Sequence, residues 1–485
     1  MSNLLLIIMC IPVFGAIILS LMKNSDNTRT FANIALLFSA AAFAGTVAMA
    51  LSFIPANGFQ QVFNYNWIPG LGVTFYGGID GISLLLLLLT NLLTPIIIYS
   101  SVGNQIKNAR AFYALILFMQ FALMGVFVSL DGFLFYIFWE LALIPIWFIC
   151  LLWGGKDSTR ITLKFFIYTL TGSLFMLVGF IYLYLQTPGT HSFSWDALHN
   201  LPLTDKQQTF VFWMMFLSFG IKMPVWPLHT WQPDTYTDAP TQGTMLLSGI
   251  MLKMGIYGVI RWMLPTVPMA FTQWGTTVMV LAIIGIVYAS CMALVQKDYK
   301  RLIAYSSIAH VGLIAAGIFT LNNQGVEGAV IQMFAHGINV VGLFMIVDIL
   351  QKRFHTSNMK ELGGIANSQS LFSIVFVIIM LGTVALPLTN GFVGEFLLLS
   401  GVFQYSAVMA AFAGLTVILG AVYMLRSYQT IMLGGPTSAT HNFAPLRLQE
   451  KVILIFISFI VIVTGLFPGW MINMVEPSVN TMLGR

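Results

Sequence analysis

The chain has 485 residues, of which 58% are hydrophobic and only 8% charged, and its mean hydropathy is +0.89. A soluble globular domain carries roughly three times that charged fraction, so a water-soluble fold is excluded and the chain reads as an all-α polytopic membrane protein. The net charge of +5 is not a nucleic-acid signal, because the lysines and arginines fall in short loops between apolar stretches.

The first stretch, "NLLLIIMCIPVFGAIILSLMK", has no basic region before it and is as long as a full span, which predicts a retained helix rather than a cleaved signal. A bilayer core about 30 Å thick takes roughly 20 apolar residues per helix. Fourteen segments meet this: 3–22, 30–53, 80–100, 111–130, 132–152, 162–185, 209–238, 241–263, 275–295, 300–320, 325–350, 371–405, 407–432 and 452–475. Cys10, Cys150 and Cys291 lie in separate segments without CxxC or CxxH spacing, which supports neither a disulfide framework nor a metal or iron-sulfur site.

Lysine and arginine in short loops set orientation. With the N-terminus outside, sixteen fall on the cytoplasmic side: Lys23, Arg29, Lys107, Arg110, Lys156, Arg160, Lys164, Lys297, Lys300, Arg301, Lys352, Arg353, Lys360, Arg426, Arg447 and Lys451. Only Lys206, Arg261 and Arg485 fall outside. The asymmetry predicts that both termini face away from the cytoplasm, and it supports the segment count, because a missed helix would invert everything after it.

Lys222 and Lys253 belong to neither side. An ionisable group in hydrocarbon costs at least about 2.5–3.5 kcal/mol, so it needs a partner, a hydrated cavity or a function. Glu140 in "YIFWELALIP", His310 in "SSIAHVGL", His336 in "QMFAHGIN" and Glu395 in "NGFVGEFLLL" also fall within segments, with Asp348 and Arg261 near segment ends. A single pair such as Glu140 with Lys222 reads equally well as a packing device. Six groups on six segments favour a proton path, since buried ion pairs contribute little stability. Lys253 lies about 18 Å into its segment, and His310 and His336 about 15 and 17 Å into theirs, which predicts one shared depth.

"SFGIKMPVWPLHTWQPDTYTDAP" places Pro224 and Pro227 directly after Lys222. Each proline removes an amide donor and frees carbonyls, a state tolerated at membrane depth only beside a hydrated or protein-buried cavity. The seventh segment is therefore expected to be two half-helices. The twelfth is interrupted in the same way by "GTVALPLTNGFVGEF", with Gly382, Pro387, Asn390, Gly391 and Gly394. Breaks in the fourth member of segments 4–8 and of segments 9–13 predict two five-helix repeats, inverted because five is odd. The expected organisation is three helices over 1–110, repeats over 111–263 and 264–432, and a loop with a last helix over 433–485.

At "FYIFWELALIPIW", "KFFIYTLTGSLFML", "GIKMPVWPLHTWQPD", "GIMLKMGIYGVIRW", "DYKRLIAYSSIAHVGLI", "GAVIQMFAHGI" and "LPLTNGFVGEF" the chain resembles the antiporter-like membrane subunits of respiratory complex I. The likeness runs over nearly the whole length. The M type, counterpart of mitochondrial NADH dehydrogenase subunit 4, is the best fit, because sister subunits of types L and N usually place lysine at the position of Glu395 and type L adds a long lateral helix. The resemblance implies a coupled pair in Glu140 and Lys222, a central relay in Lys253, histidines of the hydrated axis in His310 and His336, and proton exchange with the far side at Glu395. It also implies neighbours of types L and N, a bacterial inner membrane, and NADH, FMN, iron-sulfur clusters and quinone in partner subunits. Where the family commonly reads "LHGWLPDAH…AP", this chain has Thr230, Gln232 and Tyr236, which leaves His229 as the one histidine of that loop.

No cofactor is expected in the chain itself: "GGID" and "LGGP" are turns, not GxGxxG fingerprints. Two unit charges 4 Å apart interact by about 4 kcal/mol at an effective dielectric of about 20, enough for opening a Glu140–Lys222 pair to drive a proton onward. A subunit of a multisubunit cation/proton antiporter or membrane hydrogenase would share the fold and most of the lysines. A passive scaffold is the third class. Glu395 weighs against the antiporter reading, and a mid-membrane Lys253 against the scaffold.

Overall fold

The computed structural model describes residues 4–23, 27–437, 440 and 443–484. They are mostly helical, with a single two-stranded antiparallel sheet among them. Twelve of the helices are long and apolar enough to cross a membrane. They match twelve of the fourteen expected segments. The other two are the predicted broken ones. Residues 209–238 form the helix Asp205–Lys222 and, after nine non-helical residues, Gln232–Asp238; residues 371–405 form Ser370–Thr383 and Asn390–Tyr405.

Two further features went unread in the sequence. The last segment does not run to 475: the helix Leu448–Leu466 stops at Phe467, because the residue before Pro468 is pushed out of helical geometry, and a separate helix follows over Gly469–Met482. Residues 60–79 form a hairpin, Gln60–Ile68 with Val73–Ile79, turned by Pro69–Leu71 and the left-handed Gly72.

The chain divides into two units, residues 1–223, 250–277 and 473–485 in the first and 224–249 and 278–472 in the second. In the first, helices Gly81–Ser101 and Ala109–Val128 are buried over 89% and 78% of their spans, whereas Leu4–Leu21 and Thr28–Leu51 are buried over only 39% and 28%. The former are core and the latter present Leu37 and Leu51 outward, as lipid-facing helices do. Lipid gives no hydrophobic drive for helices to associate, so polar side chains join them: Asn91 donates to Thr46 (2.7 Å) and Gln120 donates to Asn91 (2.6 Å). In the second unit Tyr299–Ile318 and Asn323–Phe354 are buried over 94% and 100% of their spans, with Ala407–Met432 and Leu448–Leu466 outside them at 28% and 39%.

Arg261, assigned by sequence to an outer loop, is instead fully buried and paired with Asp80 at 2.5 Å. Its helix runs on to Thr266 instead of ending near 263, so the guanidinium stays inside. Lys300, also read as a loop residue, is buried and donates to the Ala239 carbonyl (2.6 Å).

Candidate functional site

Lys222 closes the helix Asp205–Lys222. The Met223 amide still reaches the Phe219 carbonyl (2.8 Å), but Pro224 has no amide to donate and the helix stops. The chain then passes through tight turns, Leu228 to Val225 and Gln232 to His229, before winding up again at Gln232. Lys222 is 2% exposed, its amine lies 5.5 Å from the centre of the Trp139 ring, and that amine has no hydrogen-bond partner among the described residues. Glu140, next along the helix Gly132–Trp153, is half-buried, and one of its carboxyl oxygens has no hydrogen-bond partner among the described residues. Among the described residues no ion pair within 4 Å joins Glu140 to Lys222; what stands beside the amine is the Trp139 ring.

Lys253 is fully buried and lies between two wide π-helical stretches, Leu247–Met251 and Val259–Met263. Its helix approaches that of Lys222 through Gly255, where a Cβ would sit 2.8 Å from the Phe219 carbonyl oxygen and 3.1 Å from Lys222 Cβ. Glu140, Lys222 and Lys253 therefore share the first unit.

The second unit holds the other three. The break between Thr383 and Asn390 carries Ala385 and Leu388 at φ +58° and +77°, and the helix Asn390–Tyr405 starts beyond it. Glu395 on that helix is buried; its Oε1 lies 2.7 Å from His310 Nδ1 and accepts from Gln332 Nε2 at 3.2 Å. The His336 ring lies 6.1 Å from that of His310. A cavity of about 10 Å³, room for a single water, is lined by Ser306, Ser307, His310, Gln332, His336 and Asn339 among others. Of its lining, Ser307 Oγ, Gln332 Oε1 and Asn339 Oδ1 have no hydrogen-bond partner among the described residues, which gives a water there the partners it needs. An imidazole and a carboxyl in contact can share one proton between them, and a third protonatable ring a few ångströms away gives it somewhere to go.

Gln332 was missed by sequence reading, although it stands four residues before His336 and therefore on the same helix face. Tyr423, which donates to Ser306 (3.0 Å), left no local signal, since 117 residues separate the two. His229 is buried with its ring 5.1 Å from that of Tyr288, away from either cluster's recorded partners.

The family described as NADH:quinone oxidoreductase/Mrp antiporter, transmembrane, matches residues 129–420. The chain belongs to this family. Members similar over nearly the whole length include NADH-quinone oxidoreductase subunit M of Rickettsia conorii, 39% identical over 471 residues (96% of this chain, 94% of that one). NADH-ubiquinone oxidoreductase chain 4 of Arabidopsis thaliana is 36% identical over 486 residues (99% and 97%). Among solved structures, a chain of respiratory complex I from Thermus thermophilus superposes with a TM-score of 0.90 at 28% identity, covering 99% of this chain and all of that one. A chain of the Mrp complex from Dietzia sp. shares the fold, with a TM-score of 0.86 at 18% identity over 99% and 97%. As an NADH:quinone oxidoreductase/Mrp antiporter family member, the chain carries both clusters within or next to the matched region.

Proposed function

We propose that the chain is a proton-translocating membrane-arm subunit of an NADH:quinone oxidoreductase, of the subunit M type. The observation that carries this is a buried protonatable side chain beside each helix break: Lys222 just before the first, and Glu395, in contact with His310, just beyond the second. Free carbonyls and prolines at such breaks admit water where an intact helix would not. Glu140 holds a proton on Lys222 by attraction. When the pair opens, the desolvated ammonium loses its counter-charge and hands its proton toward Lys253, a compact amine on a flexible stem suited to both taking and giving one. The His310–Glu395 pair serves the exchange in the second unit, with His336 beside it.

In this reading the chain crosses the membrane fourteen times, counting the two broken segments, as two inverted five-helix repeats with both termini outside a bacterial inner membrane. Types L and N are its neighbours. The chain holds no redox centre, and NADH, FMN, iron-sulfur clusters and quinone belong to partner subunits. Its own ligands are protons, internal water and lipid.

The test is Lys253→Arg in the assembled complex, reconstituted in vesicles, with proton uptake measured against electron transfer. Arginine keeps charge and approximate size but does not release its proton at accessible pH. Normal assembly with lost or slowed pumping and turnover is expected. Wild-type pumping per electron would remove Lys253 from the mechanism. The likeness of fold to the Mrp complex supports a second reading, a cation/proton antiporter subunit; purification from the native membrane separates the two by whether NADH-oxidising subunits stay bound.

A further inference from the structure

We infer that Tyr423 and Ser306 form a proton-conducting bridge that joins the His310–Glu395 cluster to water on the face carrying the basic loops. The inference rests on the proton-translocating reading above and names a way into or out of its second cluster.

A second cavity, about 360 Å³ in volume, opens beside Lys297, Lys360 and Arg426, three basic residues from three separate stretches of chain. Tyr423 lines it too. The tyrosine is nonetheless buried, and its hydroxyl donates to Ser306 Oγ at 3.0 Å. Ser306 in turn lines the single-water cavity that holds His310 and His336, and it stands four residues before His310 on the same helix face. One residue therefore lines the outer cavity and hydrogen-bonds to a residue that lines the inner one. A purely structural tyrosine here would need one hydrogen-bond acceptor. It would not need that acceptor to be a hydroxyl able to pass a proton on.

The transfer balances without any oxidant or reductant. A proton from water in the outer cavity binds the Tyr423 oxygen as the tyrosine's own proton passes to the Ser306 oxygen. The Ser306 proton then moves to the cavity water, and a proton of that water goes to the His310–Glu395 pair. Each hydroxyl ends neutral with its hydrogen turned outward, toward the side the proton came from, and rotation of the two O–H groups inward resets the chain. The reverse sequence carries a proton outward. The basic residues at the outer mouth disfavour entry of a free metal cation, whereas a proton crosses as hops between hydrogen-bonded oxygens.

The experiment compares Tyr423→Phe, Ser306→Ala and Ser306→Thr in the assembled complex, with Glu395→Gln as reference, reading proton uptake and turnover in vesicles. Tyr423→Phe and Ser306→Ala should each slow both by about tenfold or more, within the range that a positioned proton donor contributes, while Ser306→Thr keeps near wild-type rates. Wild-type rates in Tyr423→Phe and Ser306→Ala alongside a slowed Glu395→Gln would overturn the bridge and leave translocation standing. Wild-type rates in all of them would overturn translocation through this cluster. Tyr423→2,3-difluorotyrosine covers the case of lost assembly, since it keeps ring and hydroxyl but makes the hydroxyl more acidic. A shifted pH profile of turnover is expected, and an unmoved one would overturn the bridge.

Discussion

Arg261 is held on all sides. Besides the Asp80 carboxylate, its Nε donates to the Tyr257 hydroxyl (3.1 Å), its guanidinium lies 5.0 Å from the centre of the Phe59 ring, and its backbone carbonyl accepts from the Trp195 indole (3.0 Å). Asp80 at the same time caps the helix Gly81–Ser101 by accepting from the Ser83 amide (2.9 Å). Losing one partner of a buried pair strands the other, at a cost of about 3–5 kcal/mol, whereas replacing both by apolar groups is often close to neutral. Asp80→Ala should therefore lower stability by about 3–5 kcal/mol, and Asp80→Ala with Arg261→Met should recover most of it. Thermal unfolding of the purified variants in detergent, arranged as a double-mutant cycle, checks this. A double variant as unstable as the single would show that other partners, not the ion pair, anchor the arginine.

The helix Asn390–Tyr405 can bring Glu395 to His310 only because it lies very close to Asn323–Phe354. At Gly394 a Cβ would stand 2.9 Å from Gln332 Cα, and backbone cannot move aside as a flexible side chain can. Gly394→Ala should cost about 1–3 kcal/mol of stability by overpacking and slow pumping by separating Glu395 from His310. Gly469→Ala, where a Cβ would meet nothing within 4 Å, should do neither. Equal effects from the two would remove the packing argument. The break preceding this helix holds Ala385 at φ +58°, a left-handed conformation that costs an L-residue roughly 1–2 kcal/mol. Ala385→Gly should raise stability by about 1 kcal/mol, read as a higher unfolding temperature; an unchanged or lower temperature would mean that the strain is relieved elsewhere. Both breaks were legible in the sequence, because proline leaves a local mark. The approach at Gly394 was not, since a glycine does not announce what lies opposite it.

The twelve continuous spans were legible from hydropathy, a property each segment carries alone. So was the place within spans of the six candidate proton carriers, five of them buried, since a charge or imidazole within an apolar run stands out. Pairing was harder to read: the contact of His310 with Glu395, 85 residues apart, required the fold. Arg261 was misread because a basic residue near a span's end looks like a loop residue until its partner is seen. The hairpin over 60–79 was passed over because its apolar and polar residues belong to no span. The basic asymmetry still predicts the arrangement of the whole chain. A reporter fused at the C-terminus, of a kind active only outside the cytoplasm, should be active; activity restricted to a cytoplasmic reporter would require an odd number of crossings or the reverse orientation.

The bond between Asp80 and Arg261 spans 181 residues of sequence. A ribosome adds about 5–20 residues per second, so Asp80 is made roughly 10–40 seconds before the arginine that neutralises it. During that interval the first helices must be held with an uncompensated carboxylate at the end of Gly81–Ser101. Biogenesis of this chain thus contains a waiting period of fixed length, and a chain cut short before residue 261 never leaves it. Such a truncated chain carries Asp80 without its arginine, whereas one released after residue 261 holds both partners of the bond.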